Sequence, residues 1–157
     1  MKKQILSFGY AFRGIFTAIC TEPHLRFHLV AAVYVLAFAA ICGFSSERWA
    51  ILLILISAVI ALELINTAVE SVCNLVTREF HPLIKLAKDL SAGAVLMVSV
   101  AAAVVGVLFF LNPDSFHIIM QFFAAYPVAF APLLISAAVA VWFVLRGPKG
   151  LTKRKKQ

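Results

Sequence analysis

Four long apolar stretches, separated by short polar breaks, organise this chain. They run from about Leu25 to Gly43, Trp49 to Thr77, Leu90 to Leu111 and Phe116 to Leu145. A bilayer core needs about 20 helical residues, so each stretch predicts a membrane-spanning helix. The breaks are a polar loop over Phe44 to Arg48, a charged loop over Arg78 to Asp89, and a turn at Asn112-Pro113-Asp114-Ser115. The second stretch exceeds what a span requires, so its far end should project into water. The fourth contains Pro127 and Pro132, which predict a kink or an irregular start. Ahead of all four, Ile5, Phe8, Phe12, Ile15, Phe16 and Ile19 recur on one helical face, with Lys2, Lys3 and Arg13 supplying basic character. That pattern predicts an amphipathic helix lying at the membrane surface. Glu22-Pro23 ends it, because proline disfavours helix at the residue before it.

Composition strengthens this picture. The 157 residues are 63% hydrophobic, with a mean hydropathy of +0.99, which excludes an ordinary soluble domain. The N-terminal segment does not read as a cleavable signal peptide, since Met1-Lys2-Lys3-Gln4 leads into a mixed stretch carrying Arg13 and Glu22. Of the fourteen Lys and Arg, all but Arg48 fall on the side that holds the N-terminus, the 78–89 segment and the C-terminal tail. The positive-inside rule makes that side cytoplasmic. Topology and anionic headgroups thus account for the net charge of +7, and the tail from Arg146 onward reads as basic and disordered at its end. Nucleic-acid binding is excluded, because no stacking aromatics interleave with the basic residues. Cys20, Cys42 and Cys73 show no metal-ligand spacing and read as small apolar side chains.

The chemistry concentrates in one place. Glu63, Asn66, Glu70 and Asn74 stand at i, i+3, i+7 and i+11, a single polar stripe on an otherwise apolar helix. Ionisable groups at membrane depth are costly and usually functional. Glu63 and Glu70 are two turns apart, about 10 Å along the axis. One carboxylate can then accept a proton from a lipid hydroxyl while the other holds a metal ion. A passive stripe that glues helices together is the alternative. Glu22, Glu79, His81, Lys85, Lys88 and Asp89 belong to the same cytoplasmic level. Carboxylates for Mg²⁺, lysines for phosphate and a deeper base are what phosphoryl transfer from ATP to a lipid alcohol requires. His24, His28 and His117 read as interfacial, and Trp49 and Trp142 as aromatic-belt anchors.

These residues resemble the small integral-membrane lipid kinases of bacteria, the diacylglycerol and undecaprenol kinases. The family signature Glu-x-x-Asn-Ser/Thr-Ala-x-Glu-x-x-x-Asp stands here as Glu63, Asn66, Thr67, Ala68, Glu70 and Asn74. Glu79-Phe80-His81-Pro82 and Ala87-Lys88-Asp89 resemble its second block. Gly9-Tyr10-Ala11-Phe12-Arg13-Gly14 and Glu22-Pro23-His24-Leu25-Arg26 resemble its surface helix and the start of its first span. The resemblance covers about residues 5–111.

It implies an all-α membrane protein with a surface helix and three spans, assembled as a homotrimer with sites between subunits. It implies Glu63 as catalytic base and Glu22 and Glu70 as ligands of Mg²⁺. It implies ATP contacts from Tyr10, Glu22, Glu70, Glu79, His81, Lys88 and Asp89, with Arg13, Asn66 and Asn74 in support or near the lipid. Two features depart from the family. Asn74 stands where the signature has Asp, keeping the hydrogen bonding but not the charge. Residues 112–157 add a fourth spanning helix and a basic cytoplasmic tail to the 1–111 kinase domain, outside the active site. The expected activity is ATP-dependent phosphorylation of a lipid alcohol in the bacterial inner membrane. Arg26-Phe27-His28-Leu29 resembles the undecaprenol branch, which favours undecaprenol over diacylglycerol. A non-catalytic four-helix membrane protein is the reading from another class; a channel would need a polar stripe across the full membrane thickness.

Overall fold

The computed structural model describes residues 2–77 and 79–148, with side-chain surroundings from residue 6 onward. The elements in chain order are α1 (Lys2–Thr21), α2 (Pro23–Ile41), α3 (Ser46–Val76), α4 (Pro82–Phe110), α5 (Pro113–Ala125), a 3₁₀ turn (Pro127–Ala129) and α6 (Phe130–Arg146). No strand occurs among the described residues. Four segments are long and apolar enough to cross a membrane: α2, α3, α4, and Pro127–Arg146 containing α6. The chain is an all-α, multi-pass membrane protein. Arg78 and the basic tail from Lys149 onward lie outside the described residues.

Proline sets several boundaries. Pro23, Pro82 and Pro113 each open a helix, where a missing N–H costs nothing and the fixed φ already suits the first turn. This corrects the expected loop over 78–89. Helix α4 starts at Pro82, eight residues before the expected third span, so Lys85, Lys88 and Asp89 ride on its first turns. An i,i+4 ion pair, Lys85 Nζ to Asp89 Oδ2 at 2.6 Å, bridges those turns. The fourth stretch divides, as its prolines predict. Helix α5 stops at Tyr126, whose φ of −126° and ψ of 66° leave the helical region just before Pro127. Pro132 is tolerated because it falls in the first turn of α6.

Helices α3 and α4 form the most extensive pair, α2 packs on α3, and α6 packs on α2. Helix α1 packs against α2 and α3. Its apolar residues Phe8, Phe12 and Phe16 remain exposed, leaving that face for the membrane surface. At the opposite end Ala39, Phe44 and Leu52 form a small core with Phe109 and Phe110, and the Arg48 guanidinium sits over the Phe44 ring at 5.2 Å. All three cysteines are free thiols.

Asn112 joins α4 to α5. Its Nδ2 donates to the Phe109 carbonyl at 2.6 Å, and its Oδ1 accepts from the Ser115 N–H at 3.0 Å. One side chain therefore satisfies an orphan carbonyl of α4 and an orphan N–H of α5. Asn112→Ala should lower stability by about 1 kcal/mol, the usual weight of an N-cap, read as a lower melting temperature in detergent. An unchanged melting curve would refute the dual cap.

Candidate functional site

The polar stripe of α3 meets α1 in a pocket of about 960 Å³. That volume is sufficient for a small-molecule ligand. Helix α1 contributes Tyr10, Arg13, Gly14 and Thr17, the α1–α2 junction contributes Glu22, and α3 contributes Thr67, Glu70, Ser71 and Asn74. Five of the residues singled out from sequence thus line one cavity: Tyr10, Arg13, Glu22, Glu70 and Asn74. Glu22 and Glu70 are 48 positions apart in the chain. Both line this pocket because α1 folds back across the end of α3 at the Glu22-Pro23 break.

The pocket hydroxyls are committed to their own helices. Thr17 Oγ1 donates to the Arg13 carbonyl at 2.8 Å, Thr67 Oγ1 to the Glu63 carbonyl at 3.0 Å, and Ser71 Oγ to the Thr67 carbonyl at 2.8 Å. The two half-buried carboxylates are not so engaged; neither forms an ion pair among the described residues. A site of this kind fits Mg²⁺, which takes one or two carboxylates and completes its shell with water and substrate phosphates. It is not a closed protein cage: no cluster of three or more His, Cys, Asp or Glu gathers among the described residues. Arg13 adds a cation to the same wall.

Helix α4 fixes the other polar groups of the stripe. Lys88 Nζ donates to Asn74 Oδ1 at 2.8 Å. The amide oxygen accepts as a carboxylate would but brings no charge, so the ammonium keeps its full charge for an anion. One face lower, Ser91 Oγ lies 2.6 Å from Asn66 Oδ1 and 3.0 Å from the Lys88 carbonyl. Asn66 is thereby held against α4. Glu79, His81 and Asp89 are exposed and do not line the pocket of their own chain. His81 precedes α4 at its N-cap without a capping side-chain bond, and Asp89 is taken by Lys85.

Glu63 lies deeper on the same helix and is buried, 6% exposed. Its carboxylate meets His28 of α2, Nε2 to Oε1 at 3.3 Å. The imidazole abuts one carboxylate oxygen and leaves the other free of it. Directly beside them an apolar slot of about 290 Å³ opens between α2, α3 and α4, lined by His28, Val59, Ile60, Ser99, Ala103 and Gly106 among others. Ser99 Oγ is buried there without a hydrogen-bond partner. The arrangement therefore has two levels along α3: a charged pocket toward its C-terminal end, and a deeper buried acid whose partner His28 lines an apolar slot. Sequence reasoning missed the pairing of His28 with Glu63. It read His28 as interfacial, and only its level on the neighbouring span could have signalled the contact.

Residues 9–110 match the model of the prokaryotic diacylglycerol kinase family. The chain belongs to that family. Over 109 residues it is 44% identical to the undecaprenol kinase of Bacillus subtilis, covering 67% of this chain and 85% of that protein. Over 110 residues it is 39% identical to a diacylglycerol kinase of Synechocystis, covering 69% and 63% respectively. A diacylglycerol kinase of Escherichia coli is 27% identical over 96 residues, or 61% of this chain and 79% of that one. No solved structure matches the chain. The family match ends at residue 110, so α5 and α6 lie beyond it.

Proposed function

We propose that this family member transfers the γ-phosphoryl group of ATP to the hydroxyl of a membrane lipid, with undecaprenol as acceptor and undecaprenyl phosphate as product. The observation that carries the reading is the two-level site on α3. A charged pocket accepts the triphosphate from water, and a buried acid on the same helix stands one turn from Val59 and Ile60 of an apolar slot that its partner His28 also lines. In the reaction Glu63 takes the proton of the lipid hydroxyl. The lipid oxygen bonds to the γ-phosphorus, the bond from that phosphorus to the bridging oxygen breaks, and ADP departs with the electron pair. His28 holds Glu63 in place for this transfer.

Glu22 and Glu70 are the residues to hold Mg²⁺. Bound there, the ion supplies charge compensation for the triphosphate. Tyr10 and Arg13 contact or surround ATP from the pocket wall, Lys88 approaches through its bond to the wall residue Asn74, and Asn66 and Asn74 keep α3 and α4 in register. Glu79, His81 and Asp89 complete the nucleotide contacts in a homotrimer, where a second copy closes a pocket that these residues do not reach in their own chain. Residues 1–111 form the kinase unit and 112–157 an addition to it. The protein resides in the bacterial cytoplasmic membrane with both termini inside, a placement supported by the one-sided basic charge.

Undecaprenol is favoured by the likeness to the Bacillus undecaprenol kinase and by the apolar lining of the slot, which suits an isoprenoid chain without polar atoms. Diacylglycerol is the second reading, and one observation favours it: the unpartnered Ser99 hydroxyl can donate to an ester carbonyl. Purified protein given ATP, Mg²⁺ and either lipid in matched micelles separates them. We expect the higher kcat/KM for undecaprenol. The reverse order assigns diacylglycerol, and phosphorylation of neither lipid removes the reading altogether.

A further inference from the structure

Arg26 is 4% exposed at the start of α2, and among the described residues no carboxylate pairs with it. Three backbone carbonyls hold it instead. Nη1 donates to Ile19 O at 2.9 Å and Cys20 O at 3.2 Å, in the last turn of α1. Nε and Nη2 both donate to Val144 O, at 3.1 and 3.0 Å, in the last turn of α6. These acceptors belong to helix C-termini, whose unsatisfied carbonyls carry partial negative charge. The planar guanidinium is the side chain able to bridge them. Gly147 closes the arrangement. Its φ is +58°, and a Cβ there would stand 2.8 Å from Arg26 Nη1.

Glu22 is four residues before Arg26, and the Arg26 N–H donates to the Glu22 carbonyl at 3.3 Å. Although Glu22 is the extended N-cap of α2, an acid and a base this close in sequence are within reach of pairing. Here the arginine's donors are turned away, and Glu22 is left to line the pocket with Glu70. We infer that α6, through the Val144 carbonyl and Gly147, withholds Arg26 from Glu22 and so keeps the Glu22 carboxylate free for the divalent cation. Arg26, Val144 and Gly147 are then positioning residues, and the C-terminal helix acts on the site without entering it. The inference rests on the reading of Glu22 as a metal ligand.

Gly147→Val, with Gly147→Ala as a milder second variant, displaces the guanidinium in the full chain. Two quantities are read: Mn²⁺ binding by electron paramagnetic resonance with a non-hydrolysable ATP analogue, and the Mg²⁺ dependence of phosphorylation. We expect metal affinity to fall roughly threefold to tenfold, the weight of a half-buried ion pair, with kcat at saturating Mg²⁺ little changed. Adding Arg26→Met to the Gly147 variant removes the competitor and should restore most of the metal affinity. Unchanged metal affinity in both Gly147 variants overturns the inference, and so does a loss that Arg26→Met fails to rescue. A wild-type protein that neither binds Mn²⁺ with nucleotide nor phosphorylates lipid overturns the proposed function instead.

Discussion

Glu63→Gln should abolish most turnover, a loss of roughly 10²- to 10⁴-fold in kcat, the range assigned to a positioned general base. The amide keeps the size and polarity of the side chain, so the 3.3 Å approach to His28 and the helix packing should survive. What disappears is the ability to accept a proton. The KM for ATP should stay within a few-fold, because the nucleotide pocket is lined by Glu22, Glu70 and their neighbours and not by Glu63. A fall in kcat without a change in nucleotide affinity is the signature of a group acting in the chemical step. Steady-state kinetics with a separate nucleotide-binding measurement decide it. Near-normal turnover would remove Glu63 as the base.

Glu70→Gln and Glu22→Gln should each raise the Mg²⁺ concentration for half-maximal activity by about tenfold or more, since each removes one of the few anionic ligands such an ion takes from protein. The double variant should cost less than the sum of the two in free energy, because both act on one ion. Helix α3 should remain intact in either case, as no ion pair of the described residues depends on these two side chains. A Mg²⁺ titration of all three variants tests this. Additive effects would mean that the two carboxylates serve separate sites.

Much of this site was legible because its background is uniform. On an apolar helix, Glu63, Asn66, Glu70 and Asn74 declare both the helix and its functional face. The break at Glu22-Pro23 was legible as the end of the surface helix; that α1 then lies across α3 and encloses a pocket is a finding of the structure. Other features depend on contacts between helices, which periodicity does not encode. Nothing about Arg26 in the sequence indicates that its partners are carbonyls near residues 20 and 144. His28 is ordinary as one residue of a span and becomes informative only opposite Glu63. The start of α4 was misplaced for a different reason. Lysines and an acid after a proline suggested a loop, yet proline at the first helical position and an i,i+4 Lys–Asp pair are also how a helix emerges from a membrane.

Helix α3 is 31 residues long. At 1.5 Å per residue it measures roughly 46 Å, against about 30 Å for a hydrocarbon core. A single helix therefore carries both Glu63, the proposed base for the lipid hydroxyl, and Glu70, the proposed ligand on the nucleotide side, and in that reading it joins two phases. The acceptor reaches the site by lateral diffusion and the donor by diffusion through water, and neither changes solvent to react. For such a catalyst the concentration that governs acceptor binding is the mole fraction of lipid alcohol in the membrane plane, while ATP is counted per volume of water. Diluting the lipid with inert phospholipid slows the reaction, whereas diluting the vesicles in buffer leaves the acceptor term untouched.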